Sequence, residues 1–181
     1  MRVGKLRMLS VFSGGVDGAS IAAEWYGIKT VGFCEIDPKA REMLRKHWPG
    51  IPIFEDVKAV TRKSLVEGGV IESETGAGID IICGGFPCQP HSVAGKRLGG
   101  SDERDLWPEY ARIIRDIRPR WVVAENVPGL LSSDAGRFFG HVLGDLAAMG
   151  YDASWCVYGA SDVGAPQRRH RLFVLAHAAR W

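Results

Sequence analysis

Three residue sets in this sequence could do chemistry, and each follows or precedes an apolar run. The first is Gly84-Gly85-Phe86-Pro87-Cys88-Gln89-Pro90-His91-Ser92. A lone cysteine is usually a small buried hydrophobe. Cys88 differs because it stands between prolines in a polar loop, where its sulfur can be reached and a favoured thiolate would be a nucleophile. Cys83, inside the apolar run, keeps the core reading. The second set is Glu125-Asn126-Val127-Pro128-Gly129, a carboxylate directly after Trp121–Ala124. Glu125 would point into the same crevice as Cys88, or serve as a structural acid at a strand end. The third is Gln167-Arg168-Arg169-His170-Arg171, whose arginines could hold a polar base edge or phosphates, or form a surface patch. Cysteine, carboxylate and arginine from three strand ends make a plausible catalytic set, but these residue types alone do not name a substrate. A cysteine protease would need a histidine base paired with an asparagine, and no such pairing is evident.

Two further features concern a cofactor. Phe12-Ser13-Gly14-Gly15-Val16-Asp17-Gly18 is a glycine-rich turn that opens a helix. Glycines let the chain turn tightly and let a ligand approach, and a helix start favours polar or negative ligand groups. It is not G-x-G-x-x-G, so the plain dinucleotide fingerprint is absent. Glu35 lies about 20 residues beyond the turn, where an acid would accept hydrogen bonds from ribose hydroxyls. Together they point to an adenosine-containing cofactor. Asp56 follows a third short apolar run, placed to meet the adenine or to cap a helix.

The elements that must position these residues alternate. Strands are expected over Arg7–Phe12, Thr30–Cys34, Ile51–Phe54, Ile79–Cys83, Trp121–Ala124, Tyr151–Tyr158 and Arg171–Ala176. Helices are expected over Ala19–Tyr26, Pro38–His47, Leu106–Ile117 and Gly136–Met149. This alternation predicts an α/β fold with a mainly parallel sheet flanked by helices. Ligands of such sheets sit outside the carboxyl ends of the strands, where the three sets above fall.

Bulk properties exclude several classes. At 181 residues the chain has the size of one domain. No apolar stretch approaches the roughly 20 residues of a membrane-spanning helix. Residues 1–12 lack the apolar core of a signal peptide, so an intracellular, cytoplasmic protein is expected, without disulfides. The net charge of +2 is not the footprint of a strong nonspecific nucleic-acid binder. Any DNA contact must therefore use local charge, at Lys96-Arg97 or Arg168–Arg171. Cys83, Cys88 and His91 match no common zinc spacing, so no metal is expected.

The ordered set resembles the cytosine-C5 DNA methyltransferases. Gly85-Phe86-Pro87-Cys88-Gln89-Pro90-x-Ser92 looks like their nucleophile loop, Glu125-Asn126-Val127 like their E-N-V element, and Gln167-x-Arg169-x-Arg171 like their Q-x-R-x-R element. Phe12-Ser13-Gly14, Glu35-x-Asp37 and Asp56-Val57 look like their cofactor elements, all in the family's order. The resemblance implies a Rossmann-like methyltransferase fold and S-adenosylmethionine as cofactor, with DNA as partner. It implies Cys88, Glu125, Arg169 and Arg171 as catalytic residues. Phe12, Ser13, Gly14, Glu35, Ile36, Asp56, Val57, Pro87 and Leu106 would line the cofactor site. Asn126 would hold the nucleophile loop, and Val93–Trp107 matches the family's mobile lid.

Two departures accompany it. The turn reads F-S-G-G-V-D-G where the family has F-x-G-x-G-G, so it is one residue longer and Asp17 stands near a usual glycine. The family's target-recognition region and the two elements after it have no counterpart in residues 1–181, which are expected to form a single catalytic and cofactor-binding domain. That leaves open whether a second subunit supplies recognition. It also leaves open whether the chain is a silent remnant, or a relative that methylates cytosine in RNA. A nicotinamide dehydrogenase, the alternative at the level of fold, gives Cys88 no role.

Overall fold

The computed structural model describes residues 5–75, 78–87 and 105–179. It contains a seven-stranded sheet in the order β3-β2-β1-β4-β5-β7-β6. The strands are β1 (Arg7–Val11), β2 (Lys29–Cys34), β3 (Ile53–Phe54), β4 (Ile81–Gly84), β5 (Trp121–Asn126), β6 (Tyr151–Gly159) and β7 (His170–Ala178). The first five run parallel, and β7 lies antiparallel between β5 and β6. The helices are α1 (Gly18–Trp25), α2 (Pro38–His47), α3 (Arg62–Glu67), α4 (Trp107–Ile117) and α5 (Arg137–Ala148). The mainly parallel sheet flanked by helices is the architecture expected from the sequence.

The core sits where α4 and α5 cover one sheet face. α4 turns Trp107, Tyr110, Ala111, Ile114 and Ile117 inward at the i, i+3, i+4, i+7 spacing of an amphipathic helix. They pack in one cluster with Val122, Ala124, Leu172 and Val174 of the sheet and Phe139, Val142 and Leu146 of α5. The Trp107 indole N–H donates to Asp145 across the two helices (2.8 Å). Tyr110, fully buried, donates its hydroxyl to the Val123 carbonyl (3.0 Å). On the opposite face Ala23 of α1 packs with Met8, Ile81 and Cys83. Beyond that contact, Phe173, Leu175 and Tyr158 stand partly exposed on β7 and β6.

Three differences from the expected elements carry physical reasons. β5 continues through Glu125 and Asn126, because its ladder with β7 pairs Glu125 with Phe173 and Asn126 with Leu172. The two residues therefore belong to the strand, not to the loop after it. β7 likewise spans His170–Ala178, longer than the expected run. α3 was not expected, since its six residues are mostly polar. Tertiary contacts hold it: Thr61 and Ser64 form a reciprocal cap, and Arg62 donates to the Asp116 and Ile117 carbonyls at the end of α4 (both 2.7 Å). The 3-10 stretch Pro128–Gly136 was also not expected.

The unusual Asp17 is a helix cap. It accepts a hydrogen bond from Ser20 N (3.2 Å) and another from the Ser20 hydroxyl, which in turn accepts from Thr30 of β2 (2.8 Å). All three side chains are buried. Burial raises the Asp17 pKa above the ordinary aspartate range, while hydrogen bonds from Ser20, Ser10 and Ala19 oppose the shift. Removing the cap in Asp17→Ala should cost about 1–2 kcal/mol in denaturant unfolding. Asp17→Asn keeps a capping oxygen and should cost less. The sign of the pH effect follows from a raised folded pKa. Asp17 favours folding at pH below the ordinary aspartate value, and that contribution fades as pH rises through the folded value. Wild-type stability relative to Asp17→Asn should therefore be greater in mild acid than at neutral pH. A difference that is flat or reversed with pH would show that the carboxylate is not desolvated in the fold.

Candidate active site

Strand register brings the three sets to one edge. Val11 pairs with both Cys34 and Gly84, Cys34 with Phe54, and Gly84 with Ala124. The residues that follow these strands, Phe12, Glu35, Glu55 and Gly85, emerge at the edge where β5 carries Glu125. Because β7 is antiparallel, its first residues, His170 and Arg171, arrive at the same edge.

Glu125 and Arg171 meet there. The Arg171 Nε lies 2.7 Å from Glu125 Oε1, and both side chains are only partly exposed. On the other side of the carboxylate is Gly85. A Cβ at this position would stand 2.7 Å from Glu125 Oε2, so a side chain could be added only by displacing the acid. Asn126, buried in β5, donates from Nδ2 to the Phe86 carbonyl (2.9 Å), and its Oδ1 accepts from Val127 N (2.8 Å). The Phe86 ring packs against Trp107 and Tyr110, at centroid distances of 5.2 and 6.1 Å. Backbone and ring of Phe86 are thus both fixed two residues ahead of Cys88. Cys88 itself, His91, Lys96-Arg97 and most of the Val93–Trp107 segment lie outside the described residues.

The described cysteines have other environments. Burial, with the nearby Asp17 and Glu125 carboxylates, pushes the Cys83 thiol up to about 12. Cys34 is also pushed up to about 12, by burial first and then by Glu35 and Asp56. Neither is a ready thiolate at neutral pH. Cys156 is exposed on β6, beyond Phe173 from Glu125. Among the described residues no group of three or more His, Cys, Asp or Glu side chains could hold a metal ion.

The cofactor candidates gather at the ends of β1, β2 and β3. Phe12 and Gly14 both have positive φ (57° and 67°), so the chain turns sharply as it leaves β1. Phe12 sets its ring edge-on to Tyr110 at 6.0 Å. The Glu35 carboxylate accepts from Gly14 N (2.7 Å) and from Asp37 N (2.9 Å). One side chain therefore ties the glycine turn to the start of α2 and keeps lone pairs that could take ribose hydroxyls. Ile36 follows with its side chain 75% exposed. This arrangement, a fixed carboxylate acceptor beside an exposed aliphatic group, fits an adenosyl moiety.

Other candidates are placed less directly. Ser13 is buried with its hydroxyl donated to the Ser10 and Cys34 carbonyls (3.1 and 3.3 Å), which makes it a brace for the turn. The Asp56 carboxylate accepts from Lys58 N (2.9 Å), so the capping role is present. Val57 is buried in the core and Leu106 packs against it, while Pro87 is exposed. Arg169 is exposed, and its backbone holds the loop through Gln167 and Ala160 (3.1 and 2.9 Å).

Sequence reasoning missed Arg41 of α2. Its Nη1 donates to the Glu35 and Ile36 carbonyls (3.2 and 2.6 Å), and its Nη2 pairs with Glu55 (3.2 Å). The available signal was an arginine one helical turn after the Glu35-x-Asp37 element, which by itself reads as solvated surface.

Comparison with known proteins bears on the family and the fold. The family profile described as C-5 cytosine-specific DNA methylase matches residues 6–180. The type II methyltransferase M.NgoMIV of Neisseria gonorrhoeae is 35% identical over 163 residues, which cover 90% of this chain and 49% of the relative. M.AquIA of Picosynechococcus sp. is 30% identical over 94% of this chain and 71% of its own length. This chain thus spans about half the length of the gonococcal relative. Among solved structures, a candidate DNA modification methyltransferase encoded within an E. coli prophage superposes with a TM-score of 0.79 at 25% identity. That match covers 96% of this chain and 47% of the other. Dnmt2 of S. pombe shares the fold, with a TM-score of 0.72 at 19% identity over 98% of this chain and 52% of its own. With the profile matched along nearly the whole sequence, the chain belongs to the C-5 cytosine-specific DNA methylase family.

Proposed function

We propose that this chain carries the catalytic half of a DNA cytosine-C5 methyltransferase, acting through a covalent adduct on Cys88. The observation that carries this reading is the placement of Glu125. Arg171 holds its carboxylate at 2.7 Å, beside Gly85, which precedes Cys88 by three residues in the sequence.

The target cytosine must first leave the base stack, because its reactive atoms are shielded there. The Cys88 thiolate then adds to C6 and forms the S–C6 bond, while electron density moves from the C5–C6 double bond into the ring. In its protonated form Glu125 donates a proton or hydrogen bond at N3 and recovers it when the adduct collapses, so full negative charge does not build up on the base. Assistance of this kind contributes roughly 10²- to 10⁴-fold. S-adenosylmethionine, when bound, supplies an electrophilic methyl group for C5. With the methyl on C5 and S-adenosylhomocysteine as the leaving product, solvent takes the C5 proton, the C5–C6 double bond re-forms and the S–C6 bond breaks, which regenerates the Cys88 thiolate and releases 5-methylcytosine. Arg171 orients Glu125 and faces the O2 side of the base, and the exposed Arg169 is placed to meet a phosphate. Glu35 would take the ribose hydroxyls. Phe12, Ile36 and Asp56, with Val57 behind them in the core, would hold the adenosine, Ser13 would brace the turn, and Gly14, Pro87 and Leu106 would complete the site. Asn126 sets the position of the loop through Phe86.

Selection of a DNA sequence would be supplied by polypeptide outside these 181 residues, on the same chain or on a second subunit. The modest net charge and the partial coverage of the relatives support this division. Among the described residues no helix is long and apolar enough to cross a membrane. A DNA-modifying role fits the cytoplasmic setting expected from the sequence.

Methyl transfer from labelled S-adenosylmethionine to cytosine-rich DNA tests the reaction. Wild type should place label on cytosine C5, and Cys88→Ser should place none while binding the donor nearly as well. Appreciable turnover by Cys88→Ser would refute the nucleophile assignment, and label on RNA in place of DNA would change the substrate. A second variant tests the acid. Gly85→Ala puts a methyl group against Glu125 and should lower kcat on the order of 10²-fold with donor affinity kept, since small misplacements of catalytic groups are costly. An unchanged kcat would mean that the position of the carboxylate does not matter.

A further inference from the structure

We propose that Arg41 is a positioning residue that locks the loops after β2 and β3 into the shape that receives the nucleoside half of the donor. The inference rests on the reading above that an adenosyl group binds at Glu35.

Arg41 lies one turn into α2, with its backbone N–H donated to the Asp37 carbonyl (2.9 Å). Its side chain is only 12% exposed. One guanidinium nitrogen takes both successive carbonyls of the loop, Glu35 O at 3.2 Å and Ile36 O at 2.6 Å. The other terminal nitrogen reaches Glu55 Oε1 at 3.2 Å, next to Asp56 in the neighbouring loop. Its Nε is buried with no hydrogen-bond partner among the described residues. An unmade hydrogen bond on a buried charged group costs free energy, so fold stability alone is a poor reason for this arrangement.

The wider connectivity supplies a better reason. Glu35 ties the loop after β1 to the start of α2 through Gly14 N and Asp37 N. Arg41 ties the loop after β2 to the loop after β3. Together they join three strand ends into one rim. Ile36, 75% exposed, belongs to the peptide whose carbonyl Arg41 grips. A planar guanidinium can bridge two carbonyls and a carboxylate at once, whereas a lysine ammonium is a single point charge. Rigidity built in before binding lowers the ordering cost of the ligand and so raises affinity.

The test uses the whole chain and needs no DNA. S-adenosylhomocysteine and adenosine are titrated calorimetrically into wild type, Arg41→Lys and Glu55→Gln, with unfolding midpoints measured on the unliganded proteins. Arg41→Lys should unfold near the wild-type midpoint yet bind S-adenosylhomocysteine about tenfold more weakly. Adenosine should lose the same factor, because the rim grips the nucleoside. Glu55→Gln, at an exposed carboxylate, provides a second variant if Arg41→Lys does not fold, and should weaken both ligands in the same proportion. Affinities within twofold of wild type in the folded variants overturn the inference. So does a loss confined to S-adenosylhomocysteine, which would place the defect at the methionine half. If wild type binds neither ligand, the adenosyl reading fails and the inference with it. If wild type binds and the variants bind equally well, the inference alone fails.

Discussion

In the β5–β7 ladder Glu125 lies opposite Phe173 and Asn126 opposite Leu172, so Arg171 arrives at the end of β5 from the opposite chain direction. A parallel neighbour would bring only strand carboxyl ends to this edge. The antiparallel strand brings an amino end, and with it an arginine. The pairing of Gly84 with Ala124 places Gly85 level with Glu125, so the chain leaves β4 against the carboxylate. Backbone hydrogen bonding fixes these relations before any side chain acts. The aromatic group of Phe86, Trp107 and Tyr110 then anchors the loop from the core side.

The candidate cofactor half of the edge follows a similar rule with shorter strands. β3 has only two residues and pairs through Phe33–Ile53 and Cys34–Phe54. So short a ladder fixes its loop weakly, and the loops after β2 and β3 need cross-links of their own. Side chains provide them: Glu35 to Gly14 N and Asp37 N, and Arg41 to two carbonyls and Glu55. The candidate catalytic groups on the long β5 and β7 are held by backbone, while the candidate ligand loops beside the short β3 are held by side chains.

That division explains what was legible in the sequence. Glu35, Gly85, Glu125 and Arg171 sit within or beside apolar runs, and a buried run fixes where its neighbours emerge. The runs also announced the parallel sheet and the helices that flank it. What depended on contacts between distant segments was not legible. Nothing near Arg41 announces Glu55 as its partner, and nothing in the mostly polar Arg62–Glu67 announces that Arg62 will bind carbonyls at the end of α4. β5 was placed too short because its last turns of pairing come from β7, about 45 residues later, as long-range strand contacts commonly do. Asp17 looked like a displaced glycine, yet Asp17-x-x-Ser20 is a capping pattern whose further partner, Thr30, only the fold supplies.

The site and the stability of the fold draw on different interactions. Partly exposed ion pairs contribute about 0–1 kcal/mol, because water competes and two side chains must be ordered. The Glu125–Arg171 pair is of this kind, and its consequence is orientation. Stability comes instead from the apolar cluster under α4 and α5, where burial of one large side chain is worth about 1.5–3 kcal/mol. Asn126 belongs to both systems. It is buried, its amide holds Phe86, and the Phe86 ring is part of the core. A change there would leave the buried Phe86 carbonyl unpaired and free the Phe86 backbone, whereas changes at Glu125 or Arg171 would, on the proposed function, alter the chemistry and leave the scaffold standing.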